Sequence, residues 1–239
     1  MLGTSWPTYG FYFLIFIAFA PLIHLIQSNK TENNFKLTFF SFITFLVWNT
    51  ITTYWLYYAT LTGMLFAIIV NSLLMSSIVL VSLFIWKKLG NKLSTIFFIS
   101  LWICFEKFHL NWDFSWPWLN LGNVFSENIK IIQWYEYTGV FGGSLWILIS
   151  NFVSYNFFKN LVNNESFKSN LIALSIVILI PIIISFITYI NIEIDEKKIK
   201  SVIIQPNVNP YNEKFNRSNE QNLKYLESVL DDVKNRNSL

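Results

Sequence analysis

Cys104, Glu106, Lys107 and His109 fall within six positions of an otherwise apolar stretch, and they are the first candidates for chemistry in this sequence. A thiol acts as a nucleophile only as the thiolate, so it needs an acidifying setting and a base within reach. Glu106 is two residues from Cys104, and residues two apart do not share a helix face. Cys104 therefore reads as a small hydrophobe in a span. Glu106, Lys107 and His109 read as the ragged interfacial end of that span; a buried functional pair is the costlier alternative. His24 and His109 are the two histidines. They stand near opposite ends of the spans, without metal-ligand spacing. Glu136 is either an interfacial carboxylate or a partner for a headgroup amine. No nucleophile–base pair can be assembled from these residues, so no catalytic or metal-binding residue is expected in the chain.

The elements that must position these groups are set by apolar runs. Hydrophobic residues make up 54% of the chain and charged residues 13%, with 24 phenylalanines. A soluble domain carries about 25% charged residues, and one core of this size could not hide so much apolar surface. Leu37 to Trp86 contains no charged residue over 50 positions, room for two crossings of about 20 residues each. Tyr137–Phe158 and Leu171–Ile192 are also uncharged. Six spans follow: Tyr9–Gln27, interrupted by Pro21 and His24, then Leu37–Tyr58, Gly63–Trp86, Leu93–Leu110, Trp134–Phe158 and Leu171–Ile190. The first lacks a basic leading region and a small-residue cleavage site, and reads as a membrane helix rather than a signal peptide.

Lysines orient the bundle. Connections 29–36, 87–92 and 159–170 hold Lys30, Lys36, Lys87, Lys88, Lys92, Lys159 and Lys168, whereas 59–62 and 111–133 hold only Lys130. The lysine-rich set belongs in the cytoplasm. The chain then starts outside and its tail after Ile192 ends outside, which suggests an earlier span preceding Met1. The single cysteine forms no intrachain disulfide and does not report the redox compartment. No Lys/Arg cluster reads as a nucleic-acid surface.

The longest connection, Asn111 to Gln133, crowds Trp112, Trp116 and Trp118 into seven positions with Pro117 among them. Tryptophan favours the headgroup layer. The loop is an interfacial belt or a re-entrant segment shaping a lipid-facing entrance. Gly139, Gly142, Gly143 and Ser144 open the next helix with small side chains that permit close packing.

The tail differs in kind. Residues 193–239 carry eight of the 14 acidic groups and eight basic ones. After a polar linker at 193–200, Ser201–Gln205 reads as a buried strand. Pro206, Asn207, Asn209 and Pro210 impose a loop. Ser218-Asn-Glu-Gln221 has capping-box spacing, and Leu223, Leu226, Leu230 and Val233 form one apolar helical stripe behind it. One strand and one helix cannot bury both faces of a layer, so 201–239 reads as the opening of a larger α/β domain, with disorder in isolation as the rival.

Four stretches, taken in order, resemble the apolipoprotein N-acyltransferase family, enzymes of bacterial lipoprotein maturation. They are Ser5-Trp-Pro-Thr-Tyr-Gly10 with Ala18-Phe-Ala-Pro-Leu22; Trp116-Pro-Trp-Leu-Asn-Leu-Gly122; Gln133–Tyr137 with Gly139 and Gly142-Gly-Ser144; and Val202-Ile-Ile-Gln-Pro-Asn207 with Pro210-Tyr-Asn-Glu-Lys-Phe215. The resemblance implies an all-α polytopic membrane bundle (residues 1–192) followed by the first strand and helix of a truncated periplasmic nitrilase-like αββα domain (201–239).

It further implies acyl transfer from a phospholipid donor to the N-terminal amine of a diacylglyceryl apolipoprotein acceptor, through a thioester on a cysteine activated by a Glu–Lys pair. None of that Glu–Lys–Cys set is present, and Cys104 does not match the family cysteine. The chain alone is expected to be inactive. Phe215 stands where the family commonly has Trp; it keeps the apolar area and lacks the indole N–H. Phe215, Trp116, Trp118 and Glu136 are the candidate substrate contacts. The implied location is the bacterial inner membrane, as a monomer among membrane lipids, with no cofactor and no nucleic acid. The rivals are a non-enzymatic or transport membrane protein, or a homologue without a catalytic domain. Transporters tend to show internal repeats and mid-span charges, and this sequence shows no repeat and almost no mid-span charge.

Overall fold

The computed structural model describes residues 1–28, 33–192, 203, 205, 208–209, 212–213 and 216–237, and among them the secondary structure is entirely helical. The chain divides into two compact units. One joins Met1–Tyr54 to Phe66–Ile192; the other joins Trp55–Leu65 to Glu193–Leu239.

In the first unit, 3-10 turns at Gly3–Ser5, Pro7–Tyr9 and Tyr12–Leu14 lead into α1 (Ile15–Ala18) and α2 (Ala20–Ser28). The expected first span is therefore a broken helix. The break at Phe19 frees backbone groups that hydrocarbon cannot satisfy. Asn151 satisfies two of them: its Oδ1 accepts from Phe19 N at 2.7 Å and its Nδ2 donates to Ile15 O at 2.7 Å. Ser154 Oγ donates to Phe16 O at 3.0 Å.

Next come α3 (Asn34–Thr53), continued by a turn at Tyr54–Tyr58, and α4 (Leu61–His109). Asn33 caps α3 by accepting from Phe35 N at 2.9 Å. The 49 residues of α4 are interrupted at Gly90, whose φ of 70° and ψ of 172° belong to a region open essentially to glycine. His109 and Asn71 are 38 residues apart in sequence, yet their side chains bond at 2.9 Å. A straight helix would separate them by about 57 Å. α4 is thus an antiparallel hairpin folded at Gly90, and its two limbs coincide with the expected third and fourth segments.

A loop of 3-10 turns (Pro117–Leu119, Leu121–Phe125, Ile129–Ile131) leads to α5 (Tyr135–Val162) and then α6 (Lys168–Ile190). In α6, Pro181 has no N–H for the carbonyl four residues earlier, that of Val177. Trp146 of α5 supplies the missing donor, its Nε1 lying 2.7 Å from Val177 O. Most α6 side chains are exposed, among them Ile172, Ile183, Ile187 and Ile190, as expected of a helix facing lipid rather than water.

Aromatic side chains fill the core. Trp102 meets Phe19 at 5.0 Å, Phe45 at 5.8 Å and Phe98 at 5.9 Å. A second cluster joins Trp146 to Phe16 at 4.7 Å and Phe125 at 5.2 Å. These offset and edge-on geometries each add about 0.5–1.5 kcal/mol beyond burial.

Three helices among the described residues are long and apolar enough to cross a membrane: Asn34–Tyr58, Leu61–His109 and Lys168–Ile190. The expectation was six spans. The shortfall has physical causes: the first segment is broken at Phe19, the third and fourth are one hairpin, and α5 is diluted by Gly142, Gly143, Ser144, Ser150, Asn151 and Ser154.

In the second unit, α7 (Asn219–Asn237) begins with the expected capping box. Ser218 Oγ accepts from Gln221 N at 3.2 Å, and Gln221 Oε1 accepts from Ser218 N at 2.9 Å. Of the expected strand, Ser201, Val202 and Ile204 lie outside the described residues, as does the linker at 193–200; the described residues contain no strand.

Candidate functional site

The loop from Asn111 to Gln133 closes one end of the α4 hairpin, and two buried polar anchors hold it there. The first is Glu106, 2% exposed. Its Oε1 accepts from Leu121 N at 2.8 Å and from Trp102 Nε1 at 3.2 Å, and the Ser144 hydroxyl lies beside the same carboxyl. Ser144 Oγ also accepts from Gly122 N at 3.1 Å, while Tyr135 donates its hydroxyl to Gly122 O at 3.1 Å. Leu121 and Gly122 thereby reach α4 and α5 through three bonds. A Cβ on Gly122 would collide with the Val140 carbonyl, and one on Gly143 with the Tyr135 hydroxyl. Glycine is required where loop backbone and helix backbone approach this closely.

The second anchor is His109, 4% exposed. Trp112 Nε1 donates to His109 Nδ1 at 2.7 Å. Nδ1 is therefore the acceptor, which leaves Nε2 as the donor to Asn71 Oδ1 at 2.9 Å. Asn71 Nδ2 donates to Asn49 Oδ1 at 2.7 Å, and Asn49 Nδ2 to Phe45 O at 2.9 Å. The chain of bonds runs in one direction from the loop into the apolar interior. Its backbone counterpart is Trp116 N, which donates to His109 O at 3.0 Å.

What the anchors present is aromatic. Trp116 is buried and meets Trp118 edge-on at 5.0 Å, while Trp118 is 44% exposed. Phe114, 58% exposed, lies 5.4 Å from Trp112 and 5.5 Å from Phe66. Glu136 is exposed in the first turn of α5. The structure thus brings Trp116 and Trp118 together, with Glu136 on the following helix; Phe215 lies outside the described residues.

Glu106 and His109 correct the expectation of a ragged interfacial end. Both are buried; Glu106 bonds through Oε1 to Leu121 of the loop and to Trp102 of its own limb, with Oε2 left unpartnered among the described residues, and His109 bonds to Trp112 and to Asn71 of the facing limb. Asn49, Asn71 and Asn151 were not anticipated as anchors, although amides within long apolar segments are a sequence signal for buried interhelical bonding. Cys104 is exposed. Glu106 is buried and engaged with Leu121, and Lys107 stands 5.8 Å over the Phe141 ring. No nucleophile–base contact exists at this end among the described residues. The arrangement can hold a rigid, partly exposed aromatic surface; it does not form a covalent site.

The family model described as the apolipoprotein N-acyltransferase N-terminal domain matches residues 1–153. The chain is 26% identical over 236 residues to the apolipoprotein N-acyltransferase of Chlorobaculum tepidum, an alignment that covers 96% of this chain and 44% of the relative. It thus spans less than half the length of the curated relative it matches. No solved structure matches.

Proposed function

The chain belongs to the apolipoprotein N-acyltransferase family, and from that premise we propose that it forms the membrane-embedded part of an enzyme moving a fatty acyl group from a phospholipid to the N-terminal amine of diacylglyceryl-cysteine on apolipoproteins. The observation that carries this reading is the anchored loop. Glu106 and His109 fix, at one end of the apolar helices, a surface bearing Trp118 and Phe114, which suits contact with lipid at the headgroup layer.

The reaction proceeds in two steps. A cysteine thiolate attacks the phospholipid ester carbonyl, forming a thioester while the lysophospholipid leaves as an alcohol carrying the proton. The acceptor amine then attacks the thioester; an amide forms, and the thiol regains a proton. Splitting the transfer lets two bulky lipids use one site in turn. On this reading the Glu–Lys–Cys set lies outside these 239 residues, and the role of this chain is to admit and orient lipid. The bundle crosses the bacterial inner membrane six times, with Lys87, Lys88 and Lys92 on the cytoplasmic side. The Asn111–Gln133 loop and residues after Ile192 face the periplasm, where residues 201–239 open a nitrilase-like domain. Trp116, Trp118, Glu136 and Phe215 line the path of substrate.

The test is an acyl-transfer assay on two proteins: the 239-residue chain, and the same chain fused in frame to the part of the Chlorobaculum relative beyond the aligned region. The fusion is expected to acylate a diacylglyceryl-cysteine peptide, and the chain alone to form no thioester. A folded fusion without transfer would overturn the reading. A thioester on Cys104 would overturn the placement of the chemistry.

A further inference from the structure

Six of the eight described lysines of the first unit gather at the end away from the tryptophan loop; only Lys107 and Lys130 lie at the loop end. Lys87 Nζ donates to Asn34 Oδ1 at 2.8 Å, tying the start of α3 to the Gly90 turn that carries Lys88 and Lys92. Late in α5, Tyr155 lies 5.9 Å from the His24 ring of α2. Phe157 lies 5.8 Å from Phe167, beside Lys168 at the start of α6. Lys36, Lys87, Lys88, Lys92, Lys159 and Lys168 therefore share this end, with Glu165 as its one described acid.

Two grooves open beside α2 at the same end. The first, about 450 Å³, runs between α2 and α5 and is walled by Ile17, Ala20, Pro21, Phe158 and Val162, with His24 and Lys159 among its lining. The second, about 420 Å³, runs between α2 and α3, where Leu25, Leu37 and Phe40 meet Lys36 and the same His24. His24 borders both, so one polar side chain joins two apolar troughs, each with its own lysine.

We propose that this end binds an anionic phospholipid astride α2, its phosphate at His24 between Lys159 and Lys36 and one acyl chain in each groove. The apolar wall of the first groove favours an acyl chain over a water-soluble anion as its occupant, while the second mixes Leu25, Leu37 and Phe40 with Ser28, His24 and Lys36. Apolar troughs on a helix bundle embedded in a bilayer are open to acyl chains, and basic pockets between membrane helices select anionic headgroups. An imidazole donor and two ammonium groups supply that selection. The site lies at the opposite end from the tryptophan loop, so its failure would leave the acyl-transfer reading standing, and the reverse also holds.

Native mass spectrometry of the 239-residue chain, released from detergent after titration with phosphatidylglycerol or phosphatidylethanolamine of identical acyl chains, tests the proposal. Phosphatidylglycerol is expected to remain bound at the lower lipid concentration. Lys36→Ala and Lys159→Ala should each weaken its retention about fivefold, and that of phosphatidylethanolamine, whose phosphate is offset by its own ammonium, by less. Lys130→Ala, at the other end, should change neither. Val162→Trp fills a groove wall from an exposed position and should reduce retention of both lipids. Far-UV circular dichroism and elution volume confirm that each variant folds. Equal retention of the two lipids would overturn the proposal. So would phosphatidylglycerol binding indifferent to both lysines in folded variants, or grooves occupied by a second copy of the chain.

Discussion

Trp146 lends its indole N–H to the one carbonyl in α6, that of Val177, from which Pro181 has removed a donor; the bond is 2.7 Å long. Two changes of opposite kind therefore compensate. Trp146→Phe strands the carbonyl and should lower stability by about 0.6–1.7 kcal/mol for the hydrogen bond, the range for interhelical bonds in membranes. Pro181→Ala restores an N–H within the helix, so in the Trp146→Phe background it should recover part of that loss. Unfolding by SDS in mixed micelles reads both, and a double variant no more stable than Trp146→Phe would show that the bond is incidental.

Glu106 holds the loop through Leu121. Glu106→Ala leaves the Leu121 and Trp102 N–H groups buried without an acceptor, at about 1–3 kcal/mol each. Glu106→Gln keeps one carbonyl acceptor and should lose less. Limited proteolysis between Asn111 and Gln133 is the check: cleavage should accelerate in the order wild type, Gln, Ala. Equal cleavage in all three would mean that the carboxyl does not anchor the loop.

His109 and Asn71 belong to one directed chain of bonds, and removing either disrupts both. The double-mutant cycle of His109→Phe and Asn71→Ala should show a coupling of about 0.5–3 kcal/mol. Additive losses would separate the two residues.

Gly90 and Gly122 should fail for different reasons. Gly90 has open space around its Cα, so Gly90→Ala meets only the strained backbone and should cost about 1–3 kcal/mol. Gly122→Ala drives a methyl into the Val140 backbone and should cost more, with increased proteolysis of the loop. A Gly122→Ala protein as stable as Gly90→Ala would contradict the close approach.

The sequence made some of this legible and hid the rest for physical reasons. The α4 hairpin followed from a lysine-rich connection between two apolar runs, and the start of α7 from Ser218 and Gln221, whose bonding partners lie within the same four residues. Glu106 and His109 read as interfacial because only part of what holds them is local: Trp102 and Trp112 lie within four residues, but Asn71 lies 38 positions from His109 and Leu121 sits in the following loop. The break at Phe19 was legible in Pro21, but its remedy, Asn151, comes from 132 positions further on. Pairing of polar groups across a bundle leaves no periodicity in either partner. The pairing of Trp116 with Trp118 was foreshadowed by spacing; which of the two faces outward was not.

Cysteine accessibility at the two ends of the α4 hairpin tests most directly whether these helices cross a bilayer. In a Cys104→Ser background, Lys88→Cys lies beside the Gly90 turn and Phe114→Cys lies beyond His109. A membrane-impermeant maleimide applied to intact spheroplasts should label Phe114→Cys at once, and Lys88→Cys only after the membrane is opened. Labelling of both positions from the same side would contradict the account.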